Sequence, residues 1–147
     1  MNTNTNTEIK LDANLQPLSD GQPHVFTHNP SMNLLWLRED AHSESVTAAE
    51  ADRIVSELRA GGFDDWRLGV PQEQITCVDY SRSGPAANTD LYNVRPDWYW
   101  TSLQAAWSAS VRWCVVFGYG SVGYLHIASG ARVRAVRSWS GPSPVGQ

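Results

Sequence analysis

The stretch from Trp98 to Arg137 constrains this 147-residue chain most. Trp98-Tyr99-Trp100-Thr101-Ser102, Arg112 to Phe117, Ser121 to Ile127 and Arg132 to Arg137 are short runs rich in aromatic and β-branched residues. Gly118-Tyr119-Gly120 and Ser129-Gly130 separate the last three as turns. Connections this short join antiparallel neighbours, so a meander is predicted. Alternation places Trp113, Val115 and Phe117 on the core face and Cys114 and Val116 on the other.

Upstream the pattern changes. Asn33 to Arg38, NLLWLR, is an apolar run suited to a buried strand. Thr47 precedes Glu50 by three residues, a capping box, and Ala48, Ala51, Ile54, Val55 and Leu58 follow at helical spacing until Gly61-Gly62. Pro71 suits the first turn of a second, shorter helix over about 71–79. Tyr80 to Asp97 reads as a long irregular loop, either functional or tied down. Residues 1–31 are polar and punctuated by Pro17, Pro23 and Pro30. They read as an arm, with Ile9-Lys10-Leu11 able to pair as a short strand or to dock on a neighbouring subunit. The organisation predicted is an arm (1–31), one domain (32–139) and a loose tail (140–147). Helices followed by an antiparallel meander give the α+β class.

Composition narrows the partners. The net charge is −4, and Lys10 is the only lysine. Arg132, Arg134 and Arg137 are the only basic cluster, and nucleic acid needs more clustered cations than that. No run approaches the length of a membrane span, and the N-terminus shows no secretion signal. A bacterial cytoplasm or a phage particle is the expected location. Cys77 and Cys114 lie in no C-x-x-C pattern and among apolar or Trp neighbours, which predicts buried, unpaired thiols.

Six segments occur in a recognisable order: NLLWLR, FDDWRL, DYSRSGPAAN, WYWTS, RWCVVFGYGSVGY and RVRAVRS. Together they resemble the Lcl C-terminal domain family, a domain of largely unassigned function in bacterial and phage proteins. Asp65-Trp66-Arg67-Leu68, Glu73, Val78-Asp79-Tyr80-Ser81, Tyr99-Trp100-Thr101-Ser102 and Val133-Arg134-Ala135-Val136-Arg137 match that pattern. The match covers about 33–138. Gly69-Val70 departs from it, since the family has Pro-Thr there and the Thr would cap the second helix. The Arg67-Leu68 to Glu73 element and the terminal Arg-Val-Arg-Ala-Val-Arg also resemble the formylglycine-generating enzyme group. The likeness implies a C-type-lectin-like fold with two helices packed on a twisted, mostly antiparallel sheet. It implies Trp66, Leu68, Trp100 and Val115 in the core, and buried or half-buried Arg67 and Arg134 satisfied by acids such as Glu73 or by backbone carbonyls.

The residues offer little chemistry. No spacing pairs Cys77 or Cys114 with His24, His28, His42 or His126 as nucleophile and base. Formylglycine chemistry would need a close cysteine pair, which is absent, so enzyme function is not expected. His24 and His28 have a helical ligand spacing but sit in a proline-bounded β-like segment. The calcium-binding triplets of lectins are missing. Neither a metal nor another cofactor is expected.

Aromatic residues carry the strongest functional signal. Trp107, Tyr119 and Tyr124 sit beside Ser, Gly and Ala, the composition of adaptable binding surfaces. With His126, Ser121 and Leu125 they form the expected ligand face, around a framework of Trp66, Arg67, Glu73, Trp100, Trp113 and Arg134. Cys114, Val116, Gly118 and Gly123 are further positions left free by that framework, as in diversified phage and bacterial binders of this fold. The reading is a non-enzymatic module that recognises a surface protein or glycan, displayed on a larger assembly or oligomerised through its arm. A small cytoplasmic or phage regulatory or inhibitor protein that binds a host protein is the first alternative. An enzyme related to the formylglycine-generating group is the second.

Overall fold

A computed structural model of the chain describes residues 8–18 and 23–142. The fold is α+β, with two helices and two antiparallel sheets. Strands β1 (Ile9–Leu11), β2 (Phe26–Asn29), β3 (Leu34–Leu37) and β7 (Val136–Ser138) form a four-stranded sheet in that order. β4 (Trp98–Gln104), β5 (Val111–Val116) and β6 (Ser121–His126) form a three-stranded one. The meander is therefore limited to β4–β6. The last run leaves it: Arg132 bridges Tyr99 in the three-stranded sheet, and Val136 pairs with Trp36 in the other. Residues 132–138 thus tie the two sheets together.

Helix α1 (Ala48–Glu57) starts where Thr47 Oγ1 accepts the Glu50 amide at 3.3 Å, and it buries Ala48, Ala51 and Val55. A single 3-10 turn at Ala60–Gly62 follows. Helix α2 (Pro71–Ile75) is shorter than predicted. Val70 offers its first turn no side-chain cap, but Glu73 Oε1 reaches back to accept the Val70 amide at 3.0 Å. Half a capping box thus replaces the missing threonine.

The arm ends earlier than its polar composition suggested. β1 pairs with β2 and β2 with β3, and Leu11 and Phe26 are buried. Leu15 packs against the same core, so a few apolar anchors dock a segment that is otherwise mostly polar. Residues 1–7 of the arm, 19–22, and 143–147 of the tail lie outside the described residues.

The core has two compartments. One holds Leu11, Phe26, Leu35, α1, Trp66, Leu68, Trp100 and Cys114. The other holds Trp36, Cys77, Tyr92, Tyr99, Val115 and Phe117. Neighbours on β4 (Tyr99, Trp100) and on β5 (Cys114, Val115) point into opposite compartments, so these strands are covered on both faces. That explains their continuous apolar runs, and it moves Cys114 and Val116 from the outward positions expected of them into the interior. Both cysteines are free, and burial pushes the Cys77 thiol up and the Cys114 thiol up to about 12.

Trp66 is buried, stacks on Phe26 at 5.9 Å and donates its indole N–H to Ala60 O at 3.0 Å. Trp100 donates to Val46 O at 2.7 Å. Arg67 and Glu73 form the expected bidentate pair at 2.7 and 2.9 Å, with Arg67 half-buried. Arg134 differs from expectation. It is buried, yet its two terminal nitrogens meet no acid or carbonyl among the described residues. Its guanidinium instead lies 4.1 Å from the Trp36 ring centre, 5.3 Å from Tyr92 and 5.5 Å from Phe117. Aromatic faces supply the negative potential here.

Candidate functional site: an aromatic face on the three-stranded sheet

The β4–β5 connection begins at a bulge, where the register shifts between Trp100 and Gln104. Thr101 holds it. Its buried hydroxyl donates to Trp113 O at 2.8 Å and accepts the Leu103 amide at 3.2 Å. The tight turn over 105–110 then closes through Ala105 N to Val111 O at 2.9 Å and Ser108 N to Ala105 O at 3.3 Å. This geometry sets the Trp107 ring over Trp113.

Trp113 faces Tyr124 across the β5–β6 ladder. Trp107 lies 5.4 Å from Trp113 and 5.3 Å from Tyr124, and Trp113 lies 5.8 Å from Tyr124. The interplanar angles are 83–89°, so each ring presents its edge to a neighbour's face, the favoured aromatic arrangement. Trp107 remains 59% and Tyr124 56% exposed, with Val122 beside them at 44%. Trp113 is only half-buried. It was expected inside; the compartment that covers Val115 and Phe117 on the same face stops short of it.

The other predicted ligand residues divide. His126 is exposed and falls on the Tyr124 face by alternation, but its Nδ1 accepts the Ala128 amide at 3.0 Å and so also holds the next turn. Leu125 is half-buried and packs against the first core compartment, so it is not part of the ligand face. Tyr119 and Ser121 are exposed at the hairpin tip, Tyr119 at 70%. Tyr119 lies in the turn that precedes β6 and Ser121 at the start of that strand, on the far side of Val122 and Gly123 from Tyr124. The structure therefore gathers Trp107, Tyr124 and His126, adds Trp113 and Val122, and separates Tyr119 and Ser121. Gly123 is not a free position either: a Cβ there would come within 2.7 Å of the Trp98 ring. Gly118 has room, with its nearest such neighbour 3.8 Å away.

The sequence reading did not find a polar cleft of about 630 Å³ between the Glu39–Ser43 segment and the Pro85–Pro96 loop. Asp40 lies in it, accepting the Tyr99 hydroxyl at 2.8 and 2.9 Å. Burial pushes the Asp40 carboxyl above its ordinary range, against the pull of Tyr99 and of Arg134, Arg132 and Arg95. The acidic pair Glu39-Asp40 just after an apolar strand was the available signal. The loop itself is tied down, with Ala86 N donating to Phe117 O at 2.7 Å and Ala86, Ala87, Tyr92 and Val94 buried.

Among the described residues no group of three or more His, Cys, Asp or Glu is placed to hold a metal ion, and no helix is long and apolar enough to cross a membrane. No curated protein matches the chain. The family model of the Lcl C-terminal domain matches residues 26–137, from the start of β2 to the arginine that ends the Arg-Val-Arg-Ala-Val-Arg run. On that match, which spans β2 to β7, the chain belongs to the Lcl C-terminal domain family.

Proposed function

We propose that this chain is a non-enzymatic binding module whose ligand, a protein, docks on the uncovered part of the three-stranded sheet around Trp107, Trp113 and Tyr124. One observation carries the reading: Trp107, Trp113 and Tyr124 pack edge to face on a rigid sheet, yet Trp107 and Tyr124 keep more than half their surface in solvent. Holding such rings rigid removes in advance much of the entropy cost of binding. Exposed Trp and Tyr anchors concentrate interface energy.

A protein fits this face better than a glycan. Stacking on a sugar wants flat, open ring faces, whereas interplanar angles near 90° turn each ring edge into a neighbour's face. The result is a raised apolar knob suited to a pocket on a folded partner. The rim residues Val122 and Gly123 bear no ionisable side chain. Display on a larger assembly, in a phage particle or a bacterial cytoplasm, remains the expected setting.

The test is affinity capture with the full chain as bait, beside a Trp107→Ser/Tyr124→Ser variant, followed by titration calorimetry on the captured protein. A folded double variant should bind about 30-fold or more weaker, the equivalent of about 2 kcal/mol. Equal affinity would place the ligand elsewhere, with the Asp40 cleft and the Tyr119 tip next in order. Capture of glycans alone would overturn the choice of a protein partner.

A further inference from the structure

We propose that β6 is a pairing edge for a second copy of this chain, giving a continuous six-stranded sheet about a two-fold axis at Gly123. This goes beyond the aromatic-face reading, because it rests on the backbone of the edge and not on the rings.

Three of the four sheet edges are covered within the chain. β1 is bridged by Pro17, with the Leu18 amide donating to Lys10 O. β4 is covered by Arg132, whose amide and carbonyl bond Trp98 O and Trp100 N at 2.8 and 3.0 Å. β7 is covered by Arg67, which exchanges two bonds of 2.9 Å with Val136. β6 has no such cover among the described residues.

The direction of its free groups follows from the ladder. Ile127 N donates to Ser110 O at 2.9 Å, in register with Val111 opposite His126. Hydrogen-bonded and non-bonded pairs alternate in an antiparallel ladder. Ser121, Gly123 and Leu125 therefore direct their amides and carbonyls to β5, and Val122, Tyr124 and His126 direct theirs outward. His126 O is already taken by Ser129 N at 2.9 Å. Val122 and Tyr124 are left with two donors and two acceptors.

A two-fold axis at Gly123 matches these groups to themselves. Val122 of one copy faces Tyr124 of the other, both pairs exchange two hydrogen bonds, and all the free groups are used. Gly123 faces Gly123 in the close, non-bonded pair, at about 4.5 Å between Cα atoms. Val122 and Tyr124 also become cross-strand side-chain neighbours.

Charge selects a second copy as the occupant. Natural edges that must stay unpaired carry Lys, Pro or a bulge. From Trp113 to Ala131 this chain has no Asp, Glu, Lys, Arg or Pro. Such an edge offers a charged peptide nothing to complement, and it meets its own copy without repulsion.

The experiment is sedimentation of the full chain from about 1 to about 500 μM, a range set by an interface at the small end of specific ones. The mass should rise from 16.3 kDa towards twice that value. Val122→Lys, checked for folding by circular dichroism, should stay monomeric throughout. In the unmodified chain, residue-resolved amide exchange should slow at least about tenfold at Val122 and Tyr124 on concentration, with Ser121, Gly123 and Leu125 protected at both ends. This second measurement decides the matter if the variant does not fold. A monomer at every concentration, a dimer that Val122→Lys leaves intact, or unchanged exchange at Val122 and Tyr124 would overturn the proposal.

Discussion

Replacing Thr101 with valine removes one hydroxyl and leaves the side-chain shape almost unchanged. That hydroxyl donates to Trp113 O at 2.8 Å and accepts the Leu103 amide at 3.2 Å. Thr101 is fully buried, so water cannot take its place. Leaving a buried partner unpaired costs about 1–3 kcal/mol. Trp113 O, in a part-buried bond, bears most of that cost, while Leu103 lies at the more exposed end of β4 and bears less. The sum is about 2–3 kcal/mol, against a gain in β-propensity of a few tenths. For a chain of this size that lowers the melting temperature by about 4–12 °C. Because the bulge sets the 105–110 turn over Trp113, partner binding should weaken as well, although Thr101 is nowhere near the surface. Thermal melts and partner titration of Thr101→Val and Thr101→Ser separate the causes. Serine keeps the hydroxyl and loses a methyl, at about 1 kcal/mol, and should retain binding. Valine as stable as the native chain, and more stable than serine, would refute the role given to the hydroxyl.

Two further outcomes are expected. Trp66→Ala should cost about 3–5 kcal/mol, as for other large buried aromatics, and an unchanged melting temperature would remove the Asp-Trp-Arg-Leu segment from the core. Glu73 has its carboxyl held below the ordinary range, burial opposing but outweighed by hydrogen bonds from Arg67 and the Val70 amide. A depressed folded-state pKa stabilises above the unfolded value and is lost as pH falls through the folded one. Urea melts should therefore show Glu73→Gln less stable than the native chain at pH 7, and the gap should close on acidification through and below the ordinary carboxylate range.

Where the residues themselves dictate local structure, the sequence was legible. The Thr47 cap, the β5–β6 hairpin with Gly120 at positive φ, and the Arg67–Glu73 pair were readable from residue type and spacing. What failed was the assumption that alternation separates core from solvent. Cys114, Val115 and Val116 are all buried because two compartments close on β5 from opposite sides. Only tertiary packing reveals that. The same packing leaves Trp113 half-exposed and draws Leu125 inward, so the ligand face shrinks at one end and gains Trp113 and Val122 at the other. β1 falls on the Ile9-Lys10-Leu11 run that could pair as a short strand, whereas β2 was hidden by polar neighbours, its anchor Phe26 standing fifteen residues beyond Leu11. Arg134 was rightly placed inside, but its partners, three aromatic faces from β3, the 85–97 loop and the end of β5, come from segments far apart in the chain.

The most direct test of the aromatic face uses the chain's own seven tryptophans. With 5-fluorotryptophan incorporated throughout, each indole gives a separate fluorine resonance, assigned by single Trp→Phe substitutions. On adding the captured protein partner, the Trp107 and Trp113 signals should shift and broaden while those of the buried Trp36, Trp66 and Trp100 stay in place. Saturated binding that leaves Trp107 and Trp113 unmoved would contradict the assignment of this face as the binding surface.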